Sequence, residues 1–254
     1  MKITLLGSGT SQGVPVIGCD CQVCSSLDFR DKRFRASIHI EVDGLSLVVD
    51  TGPDFRMQML RAGIKKLDAV LMTHEHKDHT AGLDDIRPFN FLQKKDMPVF
   101  GRPKVLDQIK REFSYIFSEN RYPGIPQVAA IEIDDSKFTV DKVHITPIPV
   151  MHYKLPVLGF RIKNFTYITD ANYISEESLA LVVGTDTLIL NALQKEPHIS
   201  HFNLAEAVAM AQKIGARKTY FTHISHRLGL HSKVEKELPE GISLGYDNQV
   251  IILP

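Results

Sequence analysis

The run His74-Glu75-His76-Lys77-Asp78-His79 places three imidazoles and the Asp78 carboxylate within six residues. Imidazole nitrogen and carboxylate oxygen suit zinc, manganese or iron, and no thiol falls in the run. In an extended segment His74 and His76 point to one side, whereas Asp78 and His79, beyond a turn, can face a second ion. Four protein ligands are too many for one catalytic ion, which keeps a position open for water. The spacing therefore predicts the start of a two-metal hydrolytic site. The alternative, an exposed histidine-rich turn with no ion, leaves the remaining ligand-type residues without a role.

Those residues sit where strands end. The apolar run Asp68-Ala69-Val70-Leu71-Met72-Thr73 reads as the strand that delivers His74. His152 follows a strand at Val143–Val150, Asp170 one at Phe165–Thr169, and His223 one at Lys218–Thr222. One such residue alone is an ordinary polar strand end, but three recurrences predict a shared rim. The expected sorting gives His74, His76 and His152 to one metal and Asp78, His79 and His223 to the other. Asp170 bridges them, because a carboxylate has two oxygens to share. Ions in such sites stand ~3.5–4 Å apart and share a hydroxide that is nucleophilic near neutral pH. Asp50, ending the strand Leu45–Asp50, is expected to orient the histidine run by accepting hydrogen bonds.

All three cysteines fall in Cys19-Asp20-Cys21-Gln22-Val23-Cys24. An odd, tight cluster argues against a disulfide framework and offers three of the four ligands of a structural zinc. His226, three residues past His223, is the candidate fourth, and three idle thiols are the alternative. His201 stands just before a helix predicted over Leu204–Ile214, capped by Asn203 with Glu206 three residues on and stopped by Gly215. A helix start favours anions, so His201 is expected to meet a phosphate oxygen or protonate a leaving group. His39, His144, His198 and His231 lack such a setting and read as structural. Gly7-Ser8-Gly9-Thr10-Ser11-Gln12-Gly13 lacks the Gly-Lys-Ser/Thr end of a phosphate loop and reads as close backbone packing near the site.

The elements that would position these residues fit one domain over 1–254. Composition is ordinary for a globular chain: 254 residues, 43% hydrophobic, 24% charged, with 30 basic and 30 acidic residues cancelling. That balance gives no push toward nucleic acid or membrane. No apolar run approaches the ~20 residues of a membrane span, and the N-terminal strand at Ile3–Leu6 is too short for a signal peptide, so a cytoplasmic location is expected. Further strands are read at Ser37–Val42, Val128–Ile133, Lys137–Val140, Leu158–Ile162, Thr187–Leu193 and Val250–Leu253, with helices at Asp54–Ala62 and Pro103–Phe113. Ser114–Gln127 reads as a surface loop and candidate lid, and Arg30–Arg35 as a solvated basic turn. Many short strands in two similar halves with flanking helices predict an α/β architecture of two packed sheets with helices outside.

Thr73-His74-Glu75-His76-Lys77-Asp78-His79, followed in order by His152, Asp170 and His223, resembles the His-x-His-x-Asp-His signature of the metallo-β-lactamase superfamily. That resemblance implies a four-layer αβ/βα sandwich with metals at one edge of the two sheets. The segments Gly7–Pro15, Gly18–Cys24 and Thr222-His223-Ile224-Ser225-His226 look like those of the cyclic phosphodiesterases of the carbon–phosphorus lyase pathway. This closer resemblance implies a structural zinc on Cys19, Cys21, Cys24 and His226, and His201 as a catalytic histidine. The reading is a phosphodiesterase with two divalent ions, Mn or Zn or Fe, plus one structural Zn. A hydroxide between the metals attacks a small or cyclic phosphodiester while Asp78 and Asp170 orient it. The expected partner is that small molecule, with neither nucleic acid nor membrane, and a homodimer is compatible. Rival readings are a ribonuclease related to transfer-RNA 3′-processing enzymes, a thioester or lactone hydrolase on the same fold, and a metal-binding scaffold. Ser114–Ile125 and Arg30–Arg35 carry none of the family motifs, so substrate preference could reside there.

Overall fold

The computed structural model describes residues 1–118 and 123–253. Two seven-stranded sheets face each other. The first contains β1 (Lys2–Gly7), β2 (Ser37–Val42), β3 (Leu45–Val49), β4 (Ala69–Leu71), β5 (Met97–Gly101) and β6 (Val128–Glu132). The second contains β7 (Phe138–Val140), β8 (Val143–His152), β9 (Leu155–Ile162), β10 (Phe165–Ile168), β11 (Thr187–Asn191), β12 (Lys218–Thr222) and β13 (Ile242–Leu244). The last strand, β14 (Val250–Ile252), returns to the first sheet beside β1. In each sheet one half is antiparallel and the other parallel: β3 to β6 in the first, β10 to β13 in the second.

Helices cover both outer faces, giving the four layers expected. In chain order they are α1 (Phe55–Ala62), α2 (Lys77–Thr80), α3 (Arg87–Gln93), α4 (Pro103–Glu112), α5 (Ser114–Phe117), α6 (Glu176–Leu181), α7 (Leu204–Ile214) and α8 (His231–Val234). Strand side chains alternate between faces. Leu47 and Val49 of β3 enter the core between the sheets, while Val48 packs outward with Phe55 of α1 and Ile109 of α4. Ile189 of β11 points inward, and Leu188 and Leu190 meet Ala207 and Ala211 of α7 outside. Strands buried on both faces have to be apolar at successive positions, which is why they read as unbroken hydrophobic runs. The α7 reading holds at both ends: Asn203 and Glu206 form a reciprocal capping box, and Gly215 closes the helix at φ 72°.

One strand went unread, and two local expectations change. Met97–Gly101 is a strand that Pro98 conceals; the proline lies just before pairing with β4 begins at Val99. Ser114–Phe117 is helical with Ile116 fully buried, so the start of the segment read as a loop belongs to the core. The lid reading falls partly on residues 119–122, which lie outside the described residues. Finally, Arg30–Arg35 is no solvated turn. Arg33 is buried and donates to Ser8 Oγ and to the Gly245 carbonyl, and Arg35 pairs with Asp54. These contacts pin the Gly7–Gly13 loop from behind. Its backbone lies against the chain at Phe34, whose carbonyl accepts from Gly9 N at 2.7 Å.

Candidate metal centre

The four predicted strand ends meet at one edge of the two sheets. Asp50, Asp170 and His223 each take a left-handed backbone conformation just beyond a strand, with φ of 64°, 56° and 56°. Such a turn costs a non-glycine residue on the order of 1–2 kcal/mol. It turns the chain out of the strand at the residue itself, and the ligand atoms of Asp170 and His223 come together there. His74 follows β4 by three residues, and α2 carries Asp78 and His79. Gly52 allows α2 its close approach, because a β-carbon there would lie 2.2 Å from the Asp78 carbonyl oxygen.

Potential ligand atoms cluster in the predicted groups. His74, His76 and His152 form one trio, and Asp78, His79, Asp170 and His223 form a quartet, with ligand atoms within 4.8 Å of one another in each. Asp170 also groups with His152 and His201, so it faces both sets. Its Oδ2 is 3.2 Å from His79 Nε2 and its Oδ1 is 3.1 Å from His223 Nε2. Asp78 Oδ2 lies 3.1 Å from His79 Nε2. Despite these short distances, His79 Nε2 and His223 Nε2 are buried without hydrogen-bond geometry to any partner. Nitrogens and oxygens that crowd together without bonding each other are arranged as ligands of a shared cation, so the residues fit the ions the fold implies.

The electrostatics agree. Burial opposes charge on His79, yet Asp170, Asp78 and Asp50 outweigh it and hold the imidazole well above its ordinary value. Burial likewise opposes ionisation of Asp170, and the neighbouring His223 and His79 outweigh it and hold the carboxyl well below the usual range. Protons here do the balancing that divalent cations would do. His74 is driven well below its ordinary value by burial and then by His79, leaving a neutral imidazole of the kind that ligates.

Hydrogen bonds on the far side of each ring select the ligating nitrogen. His79 Nδ1 donates to Asp50 Oδ2 at 2.7 Å, leaving Nε2 for a metal. Thr73 Oγ1 donates to the same Asp50 oxygen at 2.8 Å, so its lone pair is free to accept from His74 Nδ1 at 3.0 Å. Thr73 N donates to Asp50 Oδ1 at 2.9 Å. One fully buried carboxylate therefore sets the tautomer of a histidine in each group. His152 Nδ1 donates to the Ser200 carbonyl at 2.8 Å, with the same effect. Asn191, at the end of β11, exchanges two hydrogen bonds with the Ala171 backbone and clamps the turn that carries Asp170.

His201 is buried with its ring 4.6 Å from that of His223 and 4.5 Å from that of His152. Its position matches the expectation but the cause differs. The first amides of α7 are occupied: Leu204 N donates to Gln194 O, and Glu206 N to Asn203 Oδ1. The helix start is thus spent on capping, and the imidazole itself is the available group. Burial, then the neighbouring His223, lowers His201 to about 2, so it stays neutral, and its Nδ1 has no hydrogen-bond partner among the described residues.

Thr73, Asn191 and Ser200 escaped sequence reasoning because their contribution is a hydrogen bond to another residue. His198, read as structural, is exposed with its ring 5.2 Å from that of His201. The spacing His198-x-x-His201 was its only signal.

The thiol cluster converges independently. His226 Nδ1 lies 3.3, 3.4 and 3.6 Å from the sulfurs of Cys19, Cys21 and Cys24. A tetrahedral zinc with bonds of ~2.3 Å to sulfur and ~2.05 Å to nitrogen has S···N edges of about 3.5 Å, so the spacing fits that ion. The three cysteines form no disulfide. Cys21 is held down at about 6, first by the Cys24 amide donating to its sulfur, while burial pushes Cys24 up to about 11.

Fold and donor set together define a metal-dependent hydrolase of the metallo-β-lactamase class. The family model of the beta-lactamase superfamily domain matches residues 46–224. A crystal structure described as a new diphosphatase from the PhnP family superposes with a TM-score of 0.93 at 40% identity, covering 100% of this chain and 98% of that one. The chain belongs to the metallo-β-lactamase superfamily and, within it, to the PhnP family. An octanoyltransferase of Porphyromonas gingivalis is 40% identical over 256 residues, all of this chain; the chain spans 52% of that protein's length, about half. Zinc-bound PqqB from Methylobacterium extorquens shares the fold, with a TM-score of 0.81 at 18% identity and full coverage of both chains. Among the described residues no helix is long and apolar enough to cross a membrane.

Proposed function

We propose that this chain is a dinuclear metal-dependent phosphodiesterase acting on a small or cyclic phosphodiester. The observation that carries the reading is the pair of buried imidazole nitrogens, His79 Nε2 and His223 Nε2, that make no hydrogen bond yet lie about 3 Å from carboxylate oxygens of Asp78 and Asp170. The 40% identical diphosphatase supports phosphorus as the reacting centre. His74, His76 and His152 would hold one ion, Asp78, His79 and His223 the other, and Asp170 both. When bound, two divalent ions supply a hydroxide nucleophile and offset the charge that builds on phosphoryl oxygens. Zinc, manganese and iron all suit this donor set.

The chain's own residues then have separable tasks. Asp78 and Asp170 accept from the attacking water and fix its direction. A neutral His201 donates a hydrogen bond to a phosphoryl or departing oxygen without adding a charge to a site already rich in cations. The Cys19–Cys21–Cys24–His226 zinc would tie the N-terminal loop to the segment that carries His223. The expected product is a phosphomonoester: oxygen bonds to phosphorus, the bond to the departing oxygen breaks, and that oxygen leaves with the electron pair and takes a proton.

The test is hydrolysis of bis(p-nitrophenyl) phosphate by protein stripped and reloaded with Mn, Zn or Fe, run beside a thioester panel. His76→Ala and Asp78→Asn should each abolish turnover while the circular dichroism spectrum stays unchanged. Wild-type rates in both variants, or thioester cleavage without phosphodiester cleavage, refute the assignment.

A further inference from the structure

His223 is held differently from three other candidate ligand histidines. His74, His79 and His152 are each aimed by a hydrogen bond at Nδ1, with Thr73 Oγ1, Asp50 and the Ser200 carbonyl as partners. Nδ1 of His223 is buried and has no hydrogen-bond partner among the described residues. The direction of this imidazole therefore depends on its main chain, which turns at φ 56° just beyond β12, and on packing against His201.

That main chain is gripped by the loop after β1. Ile224 N donates to Ser8 O at 2.9 Å and Ile224 O accepts from Thr10 N at 3.1 Å, so the residue next to His223 is clamped at both its polar groups. The Ser8–Gly9 peptide that receives it is fixed in turn, because Gly9 N donates to Phe34 O at 2.7 Å.

Behind Ser8 lies a buried pair of opposite charges bridged by its hydroxyl. Ser8 Oγ donates to Asp247 Oδ1 at 2.8 Å and accepts from Arg33 Nη1 at 2.7 Å. Ser8 N donates to the same Asp247 oxygen at 2.8 Å. A hydroxyl has one proton and two lone pairs, so a single serine can serve both charges. Asp247 Oδ2 also accepts from Phe34 N at 2.7 Å, and Arg33 also donates to the Gly245 carbonyl and to His231 Nδ1.

Ser8 is wholly enclosed, and Arg33 and Asp247 are buried. Burial draws Arg33 down to about 10 and pushes the Asp247 carboxyl up, so both charges are kept there against desolvation. Such a network is stiff, since moving one group leaves another unpaired in a medium of low dielectric. What it holds is one serine, and the carbonyl of that serine holds the chain beside a metal ligand.

We propose that Arg33 and Asp247 are positioning residues for the ion on the His223 side, acting through Ser8 and Ile224 to fix the direction of the His223 imidazole. This rests on the two-metal centre of the proposed function and not on its substrate.

Co(II) binding to protein depleted of exchangeable ions, followed by visible absorption and chelator competition, tests it. His76→Ala and His223→Ala mark which affinity belongs to which ion. Ser8→Ala and Arg33→Met should each weaken the ion on the His223 side about tenfold and change the other twofold or less. Ile145→Val, which trims a contact in the core between the sheets, controls for stability alone. It should lower the melting temperature and leave both affinities within twofold.

Equal weakening of both ions, an affinity on the His223 side within twofold of wild type in a folded variant, or the same split in Ile145→Val overturns the proposal. Should Arg33→Met fail to fold, Ser8→Ala decides by the same criteria. A wild type that takes up no ion on the His223 side refutes the two-metal reading and this role with it. Bound ions without phosphodiester cleavage sink only the substrate reading, and the split between affinities still decides the proposal.

Discussion

Asp50→Asn is the most informative perturbation, because the side chain keeps its shape while its hydrogen-bond roles change. Asp50 sits at φ 64°, a conformation asparagine tolerates, so the backbone imposes no new strain. The carboxylate accepts three bonds: Thr73 N at 2.9 Å, Thr73 Oγ1 at 2.8 Å and His79 Nδ1 at 2.7 Å. Asparagine offers one acceptor and one donor. If its oxygen faces Thr73 N, its NH₂ confronts His79 Nδ1 and Thr73 Oγ1, both donors in the native arrangement. His79 must then move its proton to Nε2, and Thr73 must turn its hydroxyl hydrogen toward His74 Nδ1, which moves that proton to Nε2 as well. Both ligating nitrogens are lost to the wrong tautomer.

In the other orientation a buried N–H faces Thr73 N–H, at a cost of ~1–3 kcal/mol. Losses of this kind typically weaken metal binding 10–100-fold, ~1.4–2.8 kcal/mol per site. Fold stability should change less, since burial already pushes the Asp50 carboxyl upward and asparagine is released from that desolvation cost. Chelator competition followed by elemental analysis reads the effect. Asp50→Asn should weaken both active-site ions, whereas Thr73→Val should weaken mainly the ion on the His74 side. Twofold or smaller changes at both positions in Asp50→Asn, with the fold intact, would refute the account.

Two further outcomes are expected. Cys21→Ser should lower the metal content by one equivalent of zinc per chain and reduce the melting temperature while two other ions remain; unchanged zinc by elemental analysis would dissolve the structural site. Burial lowers His39 to about 4, with its Nε2 at 2.7 Å from Ser46 Oγ. The unfolded imidazole titrates near 6.5, so its contribution is complete above that pH and is lost as pH falls through 4. The upper bound is ~3 kcal/mol. Urea unfolding at pH 7.5 and pH 5 should show this loss, and His39→Gln should flatten the pH dependence; equal slopes in both proteins would exclude His39 as its source.

Much of this protein could be read from local pattern. His74, His76, Asp78 and His79 announce themselves because a metal needs donor atoms of particular types, and the loop that supplies several of them keeps them adjacent. The thiol cluster is legible for the same reason. Strand ends such as His152, Asp170 and His223 stand out because a long apolar run stops at a ligand-type residue. The alternating burial of Leu47, Val48 and Val49 follows from the two-residue period of a strand, which any chain must obey. Other features depend on partners far away in sequence. Asp50 orients His74 only through Thr73, and Asn191 matters only because Ala171 lies across from it. Arg33 looked like one charge in a solvated run, yet it is buried against Ser8 and Gly245. Identity and spacing reveal which groups can do chemistry; which groups are left unpaired, and what they face, is settled only when separate stretches of chain exclude water together.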